Sequence, residues 1–395
     1  MYTRSHYSKI MGRLSEPRRF IQVLAGPRQV GKSTLISQVI NKLTIPHTLV
    51  VADDIPVSNT HWIEETWESV RNKMIYRQEP EHLLVIDEIQ KIVNWSEVVK
   101  KEWDRDTRDG RNIKVVLLGS SRLLLMKGLT ESLAGRFELI KMGHWDYTEM
   151  RDAFGFTLDQ YVYFGGYPGS ASMIDDEDRW VGYVKDSLVI AAITKDVLMT
   201  STVYKPALLR QLFELGCSYS GALLSLNKML GQLQDAGNVT TLAGYLGLLD
   251  ESNLLKGIQK YARDASRKYA SIPKYQVYNN ALRSIYSGRS FEASRTEPSI
   301  WGRCIESAIG AYLVNHAEQK GIKVFYWRSN ADEVDFVIER YGEVIAIEVK
   351  SGISSYNKGL SVFRELFHPQ KCLIVGTNGI SIEEFLQTDL NLLFR

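Results

Sequence analysis

A glycine-rich loop near the N-terminus carries the residue types that hold phosphate groups. It fits the pattern G-x-x-x-x-G-K-[ST], in which the glycines let the backbone curl so that successive N–H groups point at phosphate oxygens. The loop and the threonine after it comprise Gly26, Pro27, Arg28, Gln29, Val30, Gly31, Lys32, Ser33 and Thr34. We expect Lys32 to neutralise the β- and γ-phosphates of ATP and the hydroxyl of Ser33 to bind Mg²⁺.

An acidic pair, Asp87 and Glu88, follows the apolar run 83–86. Such a run predicts a buried strand, and in open parallel sheets ligands lie at the carboxyl ends of the strands. We therefore expect Asp87 to bind the Mg²⁺ that Ser33 contacts, directly or through water. Glu88 is the candidate base that orients the attacking water. Alternatively, the two carboxylates cap the next helix.

Two further positions are candidates for contact with the reacting phosphate. Ser120 follows the apolar run 115–118, and it would bind the γ-phosphate or the attacking water if its strand lies beside that of Asp87. Its alternative role is a helix N-cap. The guanidinium of Arg136 would stabilise transition-state charge in its own subunit or in a neighbour. Arg122 is the competing arginine, and a surface salt bridge is the alternative role for Arg136.

The spacing of the apolar runs predicts the elements that position these residues. Short runs separated by segments of helical length are typical of parallel strands that are buried on both faces and joined by crossover helices. The predicted fold class is α/β, beginning with a parallel sheet of the P-loop NTPase type. Its strands are expected at 20–25, 48–51, 83–86 and 115–118.

Five segments in combination resemble a known family. They are residues 26–34, Asp87-Glu88-Ile89-Gln90-Lys91, Gly119-Ser120-Ser121, Ala134-Gly135-Arg136 and Gly165-Gly166-Tyr167-Pro168-Gly169. Together they are similar to prokaryotic AAA-type ATPases whose C-terminal domain long lacked an assigned function. The resemblance implies the ASCE branch of P-loop ATPases, a helical or winged-helix middle region and a nuclease-like C-terminal domain. It supplies no biological substrate.

A second group of carboxylates lies near the C-terminus. Residues 341–342 predict a two-residue hairpin turn, which would place Asp335 opposite Glu348. Lys350 shares the face of Glu348 because side chains alternate along a strand. This D…E-x-K arrangement resembles restriction-endonuclease-like nucleases, and Glu306 matches the acidic residue that such folds often carry upstream. We expect Asp335, Glu348 and a carbonyl to hold a second Mg²⁺ or Mn²⁺ that activates water, with Lys350 orienting or deprotonating that water; the alternative is an exposed, charged sheet face.

Residues 260–295 are strongly basic, with acidic residues only at Asp264 and Glu292 and with interleaved tyrosines. Their basic residues are Lys260, Arg263, Arg267, Lys268, Lys274, Arg283, Arg289 and Arg295. Basic and aromatic residues together can follow a nucleic-acid backbone and stack on bases. We expect contact with DNA here, although a solvated connector or an edge strand would show the same pattern.

The whole composition is that of an ordinary folded protein. Lysine and arginine number 48 against 46 aspartate and glutamate residues, so the net charge requires no polyanionic partner. Cys217, Cys304 and Cys372 are far apart and lack metal-ligand spacing, which favours a reducing compartment. The N-terminus lacks a signal-peptide core, and no apolar run is long enough to cross a membrane. We expect a cytoplasmic homo-oligomer without membrane contact.

These observations predict five segments: a P-loop AAA-type core at 1–143, a helical lid at 144–200, a winged-helix-like unit at 201–260, a basic connector at 261–295 and a restriction-endonuclease-like domain at 296–395. A helical lid is the alternative to the winged helix. The predicted function is a Mg-dependent ATPase that couples hydrolysis to conformational action on nucleic acid, with a metal-dependent DNA nuclease domain as a further hypothesis. The main alternative is a nucleotide-controlled switch or assembly protein whose nuclease-like domain binds without cleaving. A structural ATP-binding scaffold is disfavoured by Glu88.

Overall fold

The chain divides into two compact units. A computed structural model describes residues 2–53, 55–56, 59, 61–120, 122–198, 203–233, 237–264, 271–352 and 358–395, without the side chains of residues 122–124 and 127. The first unit comprises Met1–Met142 and Thr194–Thr200, and the second comprises Gly143–Ile193 and Ser201–Arg395. The chain therefore returns to the first unit for one short segment.

Five parallel strands form the sheet of the first unit. They are β1 Ile21–Ala25, β2 His47–Val51, β3 His82–Asp87, β4 Ile113–Gly119 and β5 Phe137–Lys141. Their order is β2-β3-β4-β1-β5, and this is the α/β sheet that the apolar runs predict. β1, β3 and β4 are buried along their whole length. The prediction that the strands are buried on both faces is wrong for β2, because Leu49 and Val51 of this edge strand are nearly half exposed.

Helices link these strands and cover the sheet. Their bounds are His6–Ser15, Lys32–Ile40, His61–Arg77, Trp95–Arg108 and Arg122–Ser132, with a 3₁₀ turn at Ile89–Lys91 and a π-helix at Ala192–Leu198. Trp67 and Val99 bury one face of their helices in a core shared with Leu84 and Leu117 of the sheet. This packing holds the carboxyl ends of β1, β3 and β4 in fixed relative positions.

The first part of the second unit is mainly helical. Its helices are Tyr147–Phe154, Leu158–Phe164, Glu177–Gly182, Pro206–Ser218, Leu226–Leu230, Val239–Glu251, Asn280–Ile285 and Phe291–Arg295, with a 3₁₀ helix at Pro168–Met173 and a π-helix at Tyr183–Val189. Strand β6, Leu255–Ile258, pairs in antiparallel fashion with β7, Lys274–Val277. β6 therefore lies in the predicted winged-helix-like unit, and its partner β7 lies in the predicted connector.

The interpretation of 261–295 as a solvated connector is wrong for its described part. Besides β7 it contains two short helices, and the side chain of Lys274 is completely buried. Arg283 is also buried and donates to the sulfur of Cys304 at 2.9 Å. Because these two cations lie inside the unit, they cannot follow a nucleic-acid backbone. Arg267 and Lys268 lie outside the described residues.

The second unit ends in a four-stranded sheet. Its strands are β8 Lys323–Ser329, β9 Asp332–Arg340, β10 Glu343–Lys350 and β11 Lys371–Gly376, in the order β11-β10-β9-β8. The helices Pro298–Ala317, Lys358–Phe367, Ile382–Gln387 and Leu390–Leu393 and the 3₁₀ helix Glu318–Lys320 accompany it.

The two-residue hairpin between β9 and β10 is confirmed. Glu343 pairs with Arg340, and Tyr341 and Gly342 both have positive φ, as a type I′ turn requires. The register therefore brings Asp335 and Glu348 to neighbouring positions on adjacent strands.

None of the described helices has the length and apolar character needed to cross a membrane. The cytoplasmic location inferred from the cysteines stays a prediction.

Candidate active site

The glycine-rich loop connects the carboxyl end of β1 to the helix Lys32–Ile40. Gln29 and Gly31 adopt φ values of 59° and 88°, and this left-handed conformation lets the backbone curl into a nest of N–H groups. A methyl group on Gly26 would lie 2.1 Å from the carbonyl oxygen of Met142. Only glycine therefore fits where the loop leaves the sheet.

Lys32 lies buried inside the curl of this loop. Its ammonium group donates to the carbonyl oxygens of Gly26 and Pro27 at 2.9 and 2.8 Å. Burial lowers the pKa of Lys32 to about 8, against the opposing effect of Glu88 and Asp87. The geometry thus provides a cation at the centre of a backbone cradle suited to phosphate.

Ser33 and Asp87 bring two oxygen ligands together at the carboxyl edge of the sheet. The Ser33 hydroxyl donates to the Asp87 carboxylate at 2.7 Å, although 54 residues separate them. The other oxygen of Asp87 accepts the N–H of Glu88 at 2.8 Å. Hydroxyl and carboxylate oxygens suit Mg²⁺, so these residues fit the predicted metal role. Glu88 makes no capping hydrogen bond to the turn Ile89–Lys91.

Glu88 is held in place by two donors. Its carboxylate accepts from the amide of Gln90 at 2.5 Å and from the hydroxyl of Ser120 at 2.9 Å. β4 lies beside β3, which is the adjacency that the hypothesis for Ser120 required. Ser120 thus contacts the candidate base, and its expected contact with the γ-phosphate or the attacking water stays a prediction.

Gln90 also lies at this site. The sequence analysis named it only within the segment Asp87-Glu88-Ile89-Gln90-Lys91 and gave it no role. Its side chain packs so tightly that a methyl group on Gly119, at the end of β4, would lie 2.3 Å from the Gln90 amide oxygen. Its position three residues after Asp87 was the available signal. The structure adds the contact with Glu88.

Asp196 also lies at the phosphate loop, although no motif in the sequence predicts a residue of this site there. It accepts two hydrogen bonds from Nε of Arg28 at 3.0 and 2.9 Å, and it is buried. Burial raises the pKa of Asp196, whereas Arg28 acts in the opposite direction. These residues lie 168 positions apart in the chain, so no local pattern could have joined them. The contact ties the phosphate loop to the segment that returns to the first unit.

Arg136 lies near the opposite edge of the sheet from the phosphate loop. Parallel pairing places Lys141, at the end of β5, beside Ala25, so the beginning of β5 is roughly 13 Å from the loop edge at about 3.3 Å per residue. Arg136 forms two hydrogen bonds with Asp104, at 2.8 and 3.0 Å. In this arrangement the Arg136 guanidinium pairs with Asp104, away from the phosphate loop of its own subunit. The side chain of the competing Arg122 lies outside the described residues.

Two of the four C-terminal candidates, Glu306 and Asp335, lie beside a fifth charged residue, Lys274, and the other two pair with each other. The Lys274 ammonium lies 2.5 Å from a carboxylate oxygen of Glu306 and 3.9 Å from one of Asp335, and Lys350 lies 2.7 Å from Glu348. Burial raises the pKa of Glu306 to about 7, despite the favourable charge of Lys274. Asp335, Glu348 and Lys350 therefore lie close together, as the hairpin register predicts. The cluster also contains Lys274, which the basic pattern of residues 260–295 had assigned to DNA contact.

The predicted second metal site finds no support in the described part of the chain. No three His, Cys, Asp or Glu side chains in it are arranged to hold a metal ion. The carboxylates of Glu306 and Glu348 instead have lysine partners.

A groove of about 1030 Å³ lies elsewhere in the second unit. Its described lining includes four cations and one carboxylate: Lys228, Lys260, Arg263, Arg328 and Asp264. Lys228 and Lys260 form no ion pair with any carboxylate in the described part of the chain. Two members of the predicted basic segment therefore lie at this groove beside cations from other elements.

Comparison with protein families identifies the first unit. Residues 18–151 match a family model described as an AAA domain, and with the sheet and loop this match shows an AAA-type P-loop domain. Residues 155–292 and 301–388 match two models described as domains of unknown function, DUF8612 and DUF4143. These two descriptions lend no support to the resemblance to nucleases. No curated protein matches the chain significantly.

Solved structures that align with part of the chain include two of RuvB from Thermotoga maritima. The first, titled a Holliday junction branch migration motor, is 16% identical with a TM-score of 0.34 and aligns 64% of this chain with 89% of its own. The second, a single-substitution variant of RuvB, is 17% identical, with a TM-score of 0.30 and coverages of 64% and 85%. The replication initiator DnaA, bound to AMPPCP and single-stranded DNA, is 15% identical, with a TM-score of 0.33 and coverages of 61% and 86%. At such scores the similarity does not bear on function.

Proposed function

We propose that the AAA-type domain hydrolyses ATP in the presence of Mg²⁺. The observation that carries this proposal is the meeting of Ser33 and Asp87 at 2.7 Å beside the curled phosphate loop, with Glu88 next to them. Ser33 and Asp87 would hold the Mg²⁺, which supplies charge neutralisation for the phosphates.

Each residue of the site then has a distinct part in the reaction. Lys32 exchanges its two carbonyl partners for phosphate oxygens when ATP binds. Glu88 orients the attacking water and accepts its proton, while Ser120 and Gln90 hold the Glu88 carboxylate in position. A scaffold that only stored ATP would not need this supported carboxylate.

Binding of ATP should weaken as the pH rises through the pKa of Lys32. Below a pKa of about 8 the buried amine is charged and binds phosphate; above it, the neutral amine does not. We expect the affinity for ATP to fall roughly tenfold between about pH 7 and pH 9. In Lys32→Met the affinity at neutral pH should be about tenfold to hundredfold lower and should lose this pH dependence. Calorimetric titration with ATP measures both effects.

Lys42→Met is the matched control, because Lys42 is an exposed lysine just beyond the same helix. It should keep the native affinity and pH profile. Equal ATP affinities for Lys32→Met and the native protein would overturn the assignment of the loop.

We also propose that hydrolysis is coupled to the second unit through the segment Thr194–Thr200. The chain enters the first unit at this segment and leaves it towards Ser201–Arg395. The hydrogen bonds between Arg28 and Asp196 attach the segment to the phosphate loop. A change in the loop on nucleotide turnover would therefore pull directly on a segment continuous with the second unit.

The groove lined by Lys228 and Lys260 is our proposed nucleic-acid interface. Its cations come from separated parts of the chain and outnumber the single carboxylate among its described lining residues. Arg328 also pairs with Glu333 at 3.8 Å, so Lys228 and Lys260 carry unpaired positive charge in the described lining. Aromatic Tyr326 and Trp327 are buried beneath its surface, so they support the groove and are not free to stack on bases. These charges favour contact with the phosphate backbone of DNA without sequence recognition.

Reversal of both lysines to glutamate should weaken DNA binding. We expect Lys228→Glu with Lys260→Glu to lower the affinity at least about tenfold at moderate salt and to reduce the salt slope by roughly two, because two phosphate contacts are lost. Fluorescence anisotropy with labelled duplex and single-stranded DNA over a salt series measures both quantities.

The control is Arg210→Glu with Lys323→Glu, which changes the net charge equally at exposed positions outside the groove. An identical loss of affinity in this control would mean that only net charge matters. Unchanged DNA binding after reversal in the groove would remove the groove from the interface.

For the C-terminal carboxylates we propose a non-cleaving module, which is the alternative that the sequence left open. The convergence of Asp335, Glu348 and Lys350 favours a nuclease, but metal-dependent cleavage requires a divalent cation at the carboxylates. Lys274 supports the non-cleaving alternative, because its ammonium already lies beside Glu306.

A further inference from the structure

Lys274 is completely buried in the second unit, on β7. Its ammonium group contacts one carboxylate oxygen of Glu306 at 2.5 Å and the backbone carbonyl of Asp335 at 3.0 Å. The nearer Asp335 carboxylate oxygen is 3.9 Å away, and the ring of Phe336 lies 4.6 Å from the ammonium. A carboxylate, a carbonyl and an aromatic ring thus surround the charge.

The surroundings keep this ammonium charged. Burial disfavours the charged form, but Glu306 and Asp335 outweigh it and raise the pKa of Lys274 above its usual value. The carboxylates of Glu306 and Asp335 remain partly open to solvent, with 19% and 16% of their side chains exposed. The cation therefore lies in the interior, whereas the two carboxylates beside it reach solvent.

We infer that Lys274 is a built-in cation which occupies the charge position that a divalent metal ion would take between Glu306 and Asp335. This inference rests on the proposed non-cleaving module and gives its physical cause. The residues present do not fit a second Mg²⁺ or Mn²⁺. The ammonium of Lys274 lies 3.9 Å from Asp335 and that of Lys350 lies 2.7 Å from Glu348, so a metal ion at these carboxylates would meet like charge. Lys274 is completely buried, so displacement of its ammonium from Glu306 and the Asp335 carbonyl would leave a buried charge without these partners.

Removal of this charge should open a metal site. In Lys274→Met we expect Mn²⁺, followed by electron paramagnetic resonance in the absence of nucleotide, to gain one binding site with an affinity at least about tenfold above any in the native chain. The added site should disappear when Asp335→Asn is combined with Lys274→Met. A folded Lys274→Met chain that gains no Mn²⁺ would overturn the inference.

The native chain provides a second measurement that does not depend on the folding of a lysine variant. Asp335→Asn alone should leave Mn²⁺ binding unchanged, since the native carboxylates beside Lys274 take no metal. Loss of a Mn²⁺ site in Asp335→Asn would contradict the built-in cation. Lys323→Met is the control for removal of one exposed lysine charge.

Failure of the inference can be distinguished from failure of the proposed module. Mn²⁺ bound at Asp335 without cleavage of DNA would refute only the role of Lys274. Mn²⁺-dependent cleavage of DNA that Asp335→Asn abolishes would refute both, while ATP hydrolysis would be unaffected in either case.

Discussion

Glu88→Gln should bind ATP with native affinity and hydrolyse it roughly 10²- to 10⁴-fold more slowly, the usual contribution of a general base. Glutamine has the size of glutamate, so it can keep contact with Ser120 and the place beside β4. It cannot accept the proton of the attacking water. Steady-state phosphate release gives kcat, and calorimetric titration with ATP gives the affinity.

Glu97→Gln is the matched control, because Glu97 is exposed on the helix Trp95–Arg108 in the same unit. It should hydrolyse ATP at the native rate. Native turnover in Glu88→Gln would reject Glu88 as the base, whereas loss of ATP binding would indicate a part in holding the nucleotide.

Arg136→Ala should lose about 10³-fold or more in kcat, and the activity should return on mixing with Glu88→Gln. An arginine supplied by a neighbour typically contributes this much to phosphoryl transfer. Arg136 is about a third exposed, lies near the edge of the sheet opposite to its own loop and pairs with Asp104. We propose that it leaves Asp104 to reach the site of a neighbouring subunit in a homo-oligomer. In mixed oligomers, an intact site on the Arg136→Ala chain can receive Arg136 from the Glu88→Gln chain.

Phosphate release from the two variants, separately and mixed, tests this arrangement. Arg108→Ala is the control, since Arg108 is an exposed arginine on the helix that carries Asp104. Native kcat in Arg136→Ala would leave this residue as a surface salt bridge. Low activity that mixing does not restore would exclude exchange between subunits.

The geometry of the proposed nucleotide site was predictable because its signals are local. The curl around Gly31 depends on neighbouring residues, and an acidic residue after an apolar run must lie at a strand end. The hairpin register could likewise be derived, since a turn of two residues determines which positions of β9 and β10 face each other. These predictions needed only periodicity, turn chemistry and the rule that parallel strands share a carboxyl edge.

Contacts between distant segments could not be derived in this way. Asp196 meets Arg28, and Lys274 meets Glu306, only after helices and strands far apart in the chain have packed together. The same packing buried Lys274, although the basic residues near it in the sequence predicted contact with DNA. The packing also left Lys228 at the groove. A residue type and its spacing therefore identify what a side chain can do. Burial and the neighbouring charges arise only on folding, and they decide whether that side chain meets phosphate, a metal ion or a carboxylate of its own chain.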